Sequence, residues 1–337
     1  MIPAKPFVIA EIGVNHNGSI ELAQQMIDEA HRLGADAVKF QTFRATALAS
    51  PDTPKVEYQE RDSSSSSHLE MLTKLELSHE DHRVLAAYCA IRDIEFMSTP
   101  YGIDDVLLLE ELGVRRFKTA SADIVDLPLH AAIAATGLPV LISTGMASMV
   151  EIQAAIDMYP DPSSAITLLH TVSKYPTPES EANVARMTTL MSTFSLPVGY
   201  SDHTESWAAA AAATALGAQV IERHFTLNRM WEGPDHKASA DPESFSEMMD
   251  AIRKISLAMG SGEDIVQPEE SHMALVSRKS LHWAHDVPEG HVVSEGDLML
   301  RRPGTGLRWE SRDQVIGRST RRAIPSGFLV RNDDVDA

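Results

Sequence analysis

The 337 residues exceed one average domain and match a single α/β barrel of about 250 residues with a small appendage. A net charge of −19 argues against nonspecific attraction to nucleic acid or an anionic membrane. The single cysteine, Cys89, excludes an intramolecular disulfide framework and sits in a helix-like stretch, where it reads as small core filling.

No apolar run approaches the roughly 20 residues that cross a bilayer. Met1 to Lys5 leads into a strand without the charged head and apolar segment of a signal peptide, so the expectation is a soluble cytoplasmic protein. From residue 7 to about residue 260, strand-like apolar runs alternate with longer helical patterns. Strands are expected to begin at Phe7, Ala37, Glu95, Arg116, Pro139, Ile166, Pro197 and Gln219. Helices are expected to follow near Ser19, Ser78, Gly102, Leu127, Ser148, Asn183, Glu205 and Asp241, with Ser148 and Glu151 forming a capping box. Eight βα units favour a closed TIM (β/α)8 barrel over an open doubly wound sheet. A polar insert, Ala49 to Thr73, contains the run Ser63 to Ser67 and reads as a surface loop too polar to build core, with covering the site as its alternative role.

The pattern changes after Gly260-Ser261-Gly262. Residues 1–262 read as the barrel, 263–276 as a linker, and 277–337 as a small, mostly β domain punctuated by turns such as Val287-Pro288-Glu289-Gly290 and Ile324-Pro325-Ser326-Gly327.

Two phrases, Tyr200-Ser201-Asp202-His203-Thr204 and Glu222-Arg223-His224-Phe225-Thr226, each place a histidine just after a buried-strand pattern. On parallel neighbouring strands both imidazoles would emerge at the carboxyl edge, where barrels keep their active sites. Two neutral imidazoles suit a borderline divalent metal and leave positions open for water and substrate. Either histidine alone reads as an ordinary hydrogen-bonded strand end; the equivalent placement on successive units favours metal. Lys39 and Lys118 lie within apolar strands and should project inward, where a cation needs a partner. A substrate phosphate is one such partner, with Ser121, Ser143 and Ser201 as donors; an internal pair with Glu11 or Asp123 is the other. Gly233-Pro234-Asp235-His236-Lys237 reads either as a solvated turn or as a loop serving the metal strand.

These phrases, together with Ala10-Glu11-Ile12-Gly13-Val14-Asn15-His16-Asn17-Gly18, Val38-Lys39-Phe40-Gln41, Ser98-Thr99-Pro100, Ile142-Ser143-Thr144-Gly145-Met146 and Tyr175-Pro176-Thr177-Pro178, closely resemble the sialic acid synthase family of phosphoenolpyruvate-dependent enzymes. The tail, with Arg278-Lys279-Ser280-Leu281 and Arg302-Pro303-Gly304-Thr305-Gly306-Leu307, resembles the antifreeze-like (SAF, β-clip) domain that follows the barrel in that family.

The resemblance implies a transferase that condenses phosphoenolpyruvate with N-acetylmannosamine and water to a nine-carbon 2-keto sugar acid and phosphate. A diacetamido trideoxy sugar, as in legionaminate or pseudaminate synthases, is the nearest alternative. It implies a divalent metal on His203 and His224, usually Mn, with Mg or Co possible, and Glu11 as the group that moves a proton to or from water or steadies the cationic centre. Lys39, Lys118, Ser121, Ser143, Ser173, Ser201, Arg278 and Lys279 would hold phosphoenolpyruvate. Gln41, Thr99, Asp123, Tyr175 and Asp235 would face the sugar, joined by Arg302 from the other subunit of a domain-swapped homodimer. Relatives often read Ser-Gly-Glu where this chain has Ser121-Ala122-Asp123; Ser173 and Lys174 are further departures, and all three bear on sugar choice. A noncatalytic sugar-acid binding protein and a metal-dependent aldolase acting on pyruvate are the readings from other classes.

Overall fold

The computed structural model describes residues 5–50, 52–55, 65, 67–260 and 262–336, so Ser63, Ser64, Ser66 and residues 1–4 lie outside the described residues. The chain divides into two units, Met1–Gly262 and Glu263–Ala337.

The first unit is a barrel of parallel strands: β1 Phe7–Gly13, β2 Ala37–Thr42, β3 Glu95–Pro100, β4 Phe117–Thr119, β5 Val140–Ser143, β6 Ile166–His170, β7 Val198–Asp202 and β8 Val220–His224. The ladder runs β3-β2-β1-β8-β7-β6-β5-β4, and β3 and β4 lie with Cα atoms within 8 Å, closing the ring. Several helices start where local chemistry dictates. Ser78 and Ser148 each accept a hydrogen bond from the third helical residue while Asp81 and Glu151 reach back, and Asp241 does the same with Ser244 before Pro242–Met259.

Alternation along the strands builds two separate cores. Outward residues such as Val8, Val38, Ile142, Val198 and Ile221 pack with the helices into the main cluster. Inward residues Ile9, Ala37, Met97, Leu141, Leu169 and Val220 fill the barrel's floor. Two residues further along the same faces come Glu11, Lys39, Thr99, Ser143, Thr171 and Glu222, all buried. The barrel interior therefore changes from apolar to polar in one layer.

The polar insert departs from its expectation. Residues Ala45–Leu48 and His68–Leu75 are helical, and Met71, Leu72 and Leu75 pack with Val14, Phe43, Ala45 and Ala49 into a core of their own. Ser67 caps the second helix by accepting from Glu70 N. At Gly18, whose φ is +77°, an added Cβ would lie 2.8 Å from the Lys74 carbonyl, so this helix bears closely on the loop after β1. Two other helices begin three residues later than expected, at Arg186 and Ala208. Before the latter, the carbonyls of Glu205 and Ser206 are taken up by the Arg223 guanidinium.

In the second unit Pro268–Ser277 is a helix, where composition suggests a linker. Strand β9 Ser280–Trp283 pairs antiparallel with β10 Leu298–Arg301 over a core that includes Leu281, Trp283, Val287, Val315 and Val330. Asp297 accepts from Ser294 N and from the rings of His285 and His291, tying the turn before β10. Among the described residues no helix is long and apolar enough to cross a membrane.

Burial of the insert helix yields a discriminating prediction. Met71→Ala should cost about 2–5 kcal/mol in urea unfolding, as expected for a buried core truncation; a change within about 0.5 kcal/mol would mark the segment as surface loop.

Candidate active site

The polar layer is held by ion pairs between strands. Lys39 Nζ lies 2.7 Å from Glu11 Oε2 and 3.7 Å from Glu222 Oε2, and donates to Thr99 Oγ1 at 2.9 Å. Lys118 Nζ lies 3.6 Å from Glu222 Oε1 and donates to Ser143 Oγ at 3.1 Å and the Thr119 carbonyl at 2.9 Å. Ser201 Oγ donates to Glu222 Oε1 at 2.9 Å, and Gln41 Nε2 to Glu11 Oε1 at 3.3 Å. Lys39 thus has the internal Glu11 partner that its inward placement left open, whereas the carboxylate nearest Lys118 is Glu222 and not Asp123. Lys118 pairs with Glu222, which sequence reasoning passed over as the flank of His224. The signal was present: Glu222 is two residues before His224 on one strand and shares its face.

Burial and charge pull these groups in different directions. Burial raises the Glu11 carboxyl to about 7 against the attraction of Lys39. Burial also opposes ionisation of Glu222, but the Lys118 and Lys39 ammonium groups outweigh it and hold that carboxyl down at about 2. Lys39 is raised because Glu11 and Glu222 overcome its desolvation, whereas for Lys118 desolvation wins and the value is lowered.

The two histidines converge beside this layer. Their ring centroids are 5.6 Å apart, and Tyr175 packs on His203 at 4.2 Å and edge-on to His224 at 5.7 Å. Burial lowers His203 to about 4 and, with the nearby His203 and Lys39, lowers His224 to about 3, so both are neutral near pH 7. His203 Nδ1 lies 2.7 Å from the Val172 carbonyl, a contact it makes as donor, which leaves Nε2 with a free lone pair. His224 Nδ1 is buried without a hydrogen-bond partner among the described residues, with Asp235 Oδ2 at 3.9 Å. Burial raises Asp235 to about 6. No group of three or more histidine, cysteine or acidic side chains poised for a metal occurs among the described residues. A neutral imidazole pair with acceptor nitrogens and an orphaned buried ring atom nevertheless fits a divalent ion completed by water or substrate.

The loop after β5 closes the other side. A Cβ on Gly145 would fall 2.5 Å from Ser173 Oγ and 2.7 Å from Ser121 Oγ, so only glycine lets this backbone approach both hydroxyls. Asp123, whose Oδ2 is buried without a hydrogen-bond partner among the described residues, is raised to about 6 by burial and by Asp126, with Lys118 opposing. The loop bearing Asp235 is fastened to the one after β1: Asn15 Nδ2 donates to Ser239 Oγ, and Asn17 Nδ2 lies 3.2 Å from His236 Nε2. The expected site residues of the first unit therefore meet at one barrel rim. Arg278, Lys279 and Arg302 belong to the second unit. An open groove of about 780 Å3 lined by Pro176, Glu205, Asn228, Arg229 and Lys237 does not include the buried lysines.

The NeuB family model matches residues 26–264, and the SAF domain model residues 278–336. The chain belongs to the NeuB family. It is 39% identical to the N,N'-diacetyllegionaminic acid synthase of Legionella pneumophila, over 98% of this chain and 95% of that protein. It is 33% identical to the human N-acetylneuraminate-9-phosphate synthase, over 98% and 92%. Among solved structures, the N-acetylneuraminic acid (sialic acid) synthetase of Leptospira borgpetersenii serovar Hardjo-bovis, in complex with citrate, aligns with a TM-score of 0.71 at 33% identity, covering 80% of this chain and 90% of that one. A barrel of the sialic acid synthase family followed by a SAF domain is thereby established.

The charge layer predicts a specific weakness. Glu222→Gln removes the carboxylate that Lys118 pairs with and should cost about 3–5 kcal/mol in urea, the cost of leaving a buried charge uncompensated. Millimolar inorganic phosphate should recover part of that loss. A change within about 0.5 kcal/mol would show that Glu222 is not needed to hold the lysines.

Proposed function

We propose that this NeuB-family protein condenses phosphoenolpyruvate with a 2-acetamido sugar aldehyde, releasing phosphate and forming a 2-keto sugar acid. The observation that carries this reading is the meeting, on one rim, of two buried ammonium groups with two neutral imidazoles. The lysines supply cations for an anionic substrate, and the Ser121 and Ser173 hydroxyls, approached closely by the Gly145 backbone, supply further donors.

His203 and His224 are the residues that would hold a divalent metal, Mn in the first instance. When bound, such an ion supplies Lewis-acid polarisation of an aldehyde oxygen. Lys39 and Lys118 bind the phosphate and carboxylate of phosphoenolpyruvate in exchange for part of their pairing with Glu11 and Glu222. Carbon 3 of phosphoenolpyruvate forms the bond to the aldehyde carbon, water adds its oxygen to carbon 2, and the bond from carbon 2 to the phosphate oxygen breaks. Glu11, steadied by Gln41, exchanges a proton at the adding water. Tyr175, over both imidazoles, excludes water from that side. Asp123, whose buried Oδ2 has no hydrogen-bond partner among the described residues, is the acceptor available to a sugar hydroxyl or amide.

For the sugar we place the diacetamido trideoxy substrate first and N-acetylmannosamine second, reversing the order expected from sequence. The support is the higher identity to the legionaminic acid synthase, 39% against 33% for the human enzyme.

The test is phosphate release from phosphoenolpyruvate with each sugar, after EDTA treatment and with Mn restored. The expected result is Mn-dependent release, fastest with the diacetamido sugar, and a product whose mass equals sugar plus pyruvate. Faster turnover of N-acetylmannosamine would reverse the sugar assignment. Sugar-acid binding without phosphate release, or condensation with free pyruvate, would overturn the synthase reading.

A further inference from the structure

The two candidate metal-binding histidines are each adjacent in sequence to a charged residue of opposite sign: Asp202 precedes His203, and Arg223 precedes His224. Asp202 and Arg223 are direct partners in the β7–β8 register and face away from the barrel lumen by strand alternation. Both are buried, with their side chains 0% and 3% exposed respectively. An ion pair so deep is costly to assemble and gains little for stability over an apolar pair, which directs attention to what it holds in place.

The guanidinium grips the chain on both sides of His203. Nη1 donates to Asp202 Oδ2 at 3.2 Å and to the Ser206 carbonyl at 2.7 Å. Nη2 donates to the carbonyls of Thr204 at 2.7 Å and Glu205 at 2.8 Å. The other oxygen of Asp202 accepts from Thr204 N at 2.9 Å and Thr204 Oγ1 at 2.8 Å. Residues 202, 204, 205 and 206 are thus fastened to the residue immediately before His224. His203 is the one residue of this turn left to point inward, where its Nδ1 reaches Val172 O.

We propose that Asp202 and Arg223 are positioning residues that fix the His203–His224 spacing and thereby set affinity for a divalent metal. The inference rests on the metal reading of those histidines. A planar fork with several fixed donors reaches three successive carbonyls and a carboxylate at once; a lysine ammonium at that position cannot. Supporting groups of this kind typically change metal affinity about 10- to 100-fold when altered.

The test measures Mn dissociation constants from the electron paramagnetic resonance signal of free Mn, using full-length parent, Arg223→Lys, Asp202→Asn and His203→Ala. Folding is checked by circular dichroism, and phosphoenolpyruvate binding is measured calorimetrically in EDTA. Expected is about 10- to 100-fold weaker Mn binding in the Arg223 and Asp202 variants, with phosphoenolpyruvate affinity within about twofold of parent, because the lysines lie on other strands. Thr204→Val, which removes one hydroxyl and keeps both charges, serves if the charge variants do not fold, and should weaken Mn by a smaller but measurable factor. Unchanged Mn affinity in the folded variants overturns the positioning role alone. Mn binding in the parent that is absent, or that survives His203→Ala, overturns the metal reading and this inference with it.

Discussion

The constraint on which this structure depends is the burial of two lysines inside a parallel barrel. A cation removed from water needs a partner, and the barrel supplies Glu11 to Lys39 from the neighbouring strand and Glu222 to both lysines from across its interior. That arrangement requires β1, β2, β4 and β8 to hold their register, because a one-residue slip would turn every charge into the helix layer. The apolar floor of Ile9, Ala37, Leu141 and Val220 secures that register from beneath. The site is therefore the second layer of a packed core, and its rigidity comes from the layer below. On the proposed function, the carboxylates balance the lysines in the free protein and would yield part of that role to an anionic substrate.

Much of this was legible in the residues, for identifiable physical reasons. Parallel strands buried on both faces read as continuous apolar runs, so their starts could be located within one residue, as at Phe7, Ala37, Glu95 and Ile166. Helices with side-chain caps at Ser78, Ser148 and Asp241 were equally readable. The insert helix His68–Leu75 was hidden by the polarity of the serine run before it, although Ser67 and Glu70 carry the capping pattern and Met71, Leu72 and Leu75 share a face. The helix Pro268–Ser277 has no buried residue within its own chain, so no apolar stripe announced it. Glu222 was overlooked because a motif centred on a histidine draws attention to the metal and away from the residue two positions earlier.

The sugar is where sequence and geometry part company. Ser121 is fixed by its approach to Gly145, but Asp123 Oδ2 has no partner among the described residues and is open to one from a ligand. Discrimination between mannose derivatives turns on such single polar contacts, each of which changes selectivity without changing the fold. Relatives that share the barrel accordingly carry different substrate names.

The most direct measurement is a crystal structure of the full chain with phosphoenolpyruvate and Mn. The account predicts the phosphoenolpyruvate anion within hydrogen-bonding distance of both Lys39 and Lys118, with the Lys39–Glu11 pair lengthened from 2.7 Å and Mn bound by His203 and His224. An anion bound elsewhere, with both lysines still engaged by Glu11 and Glu222, would contradict it.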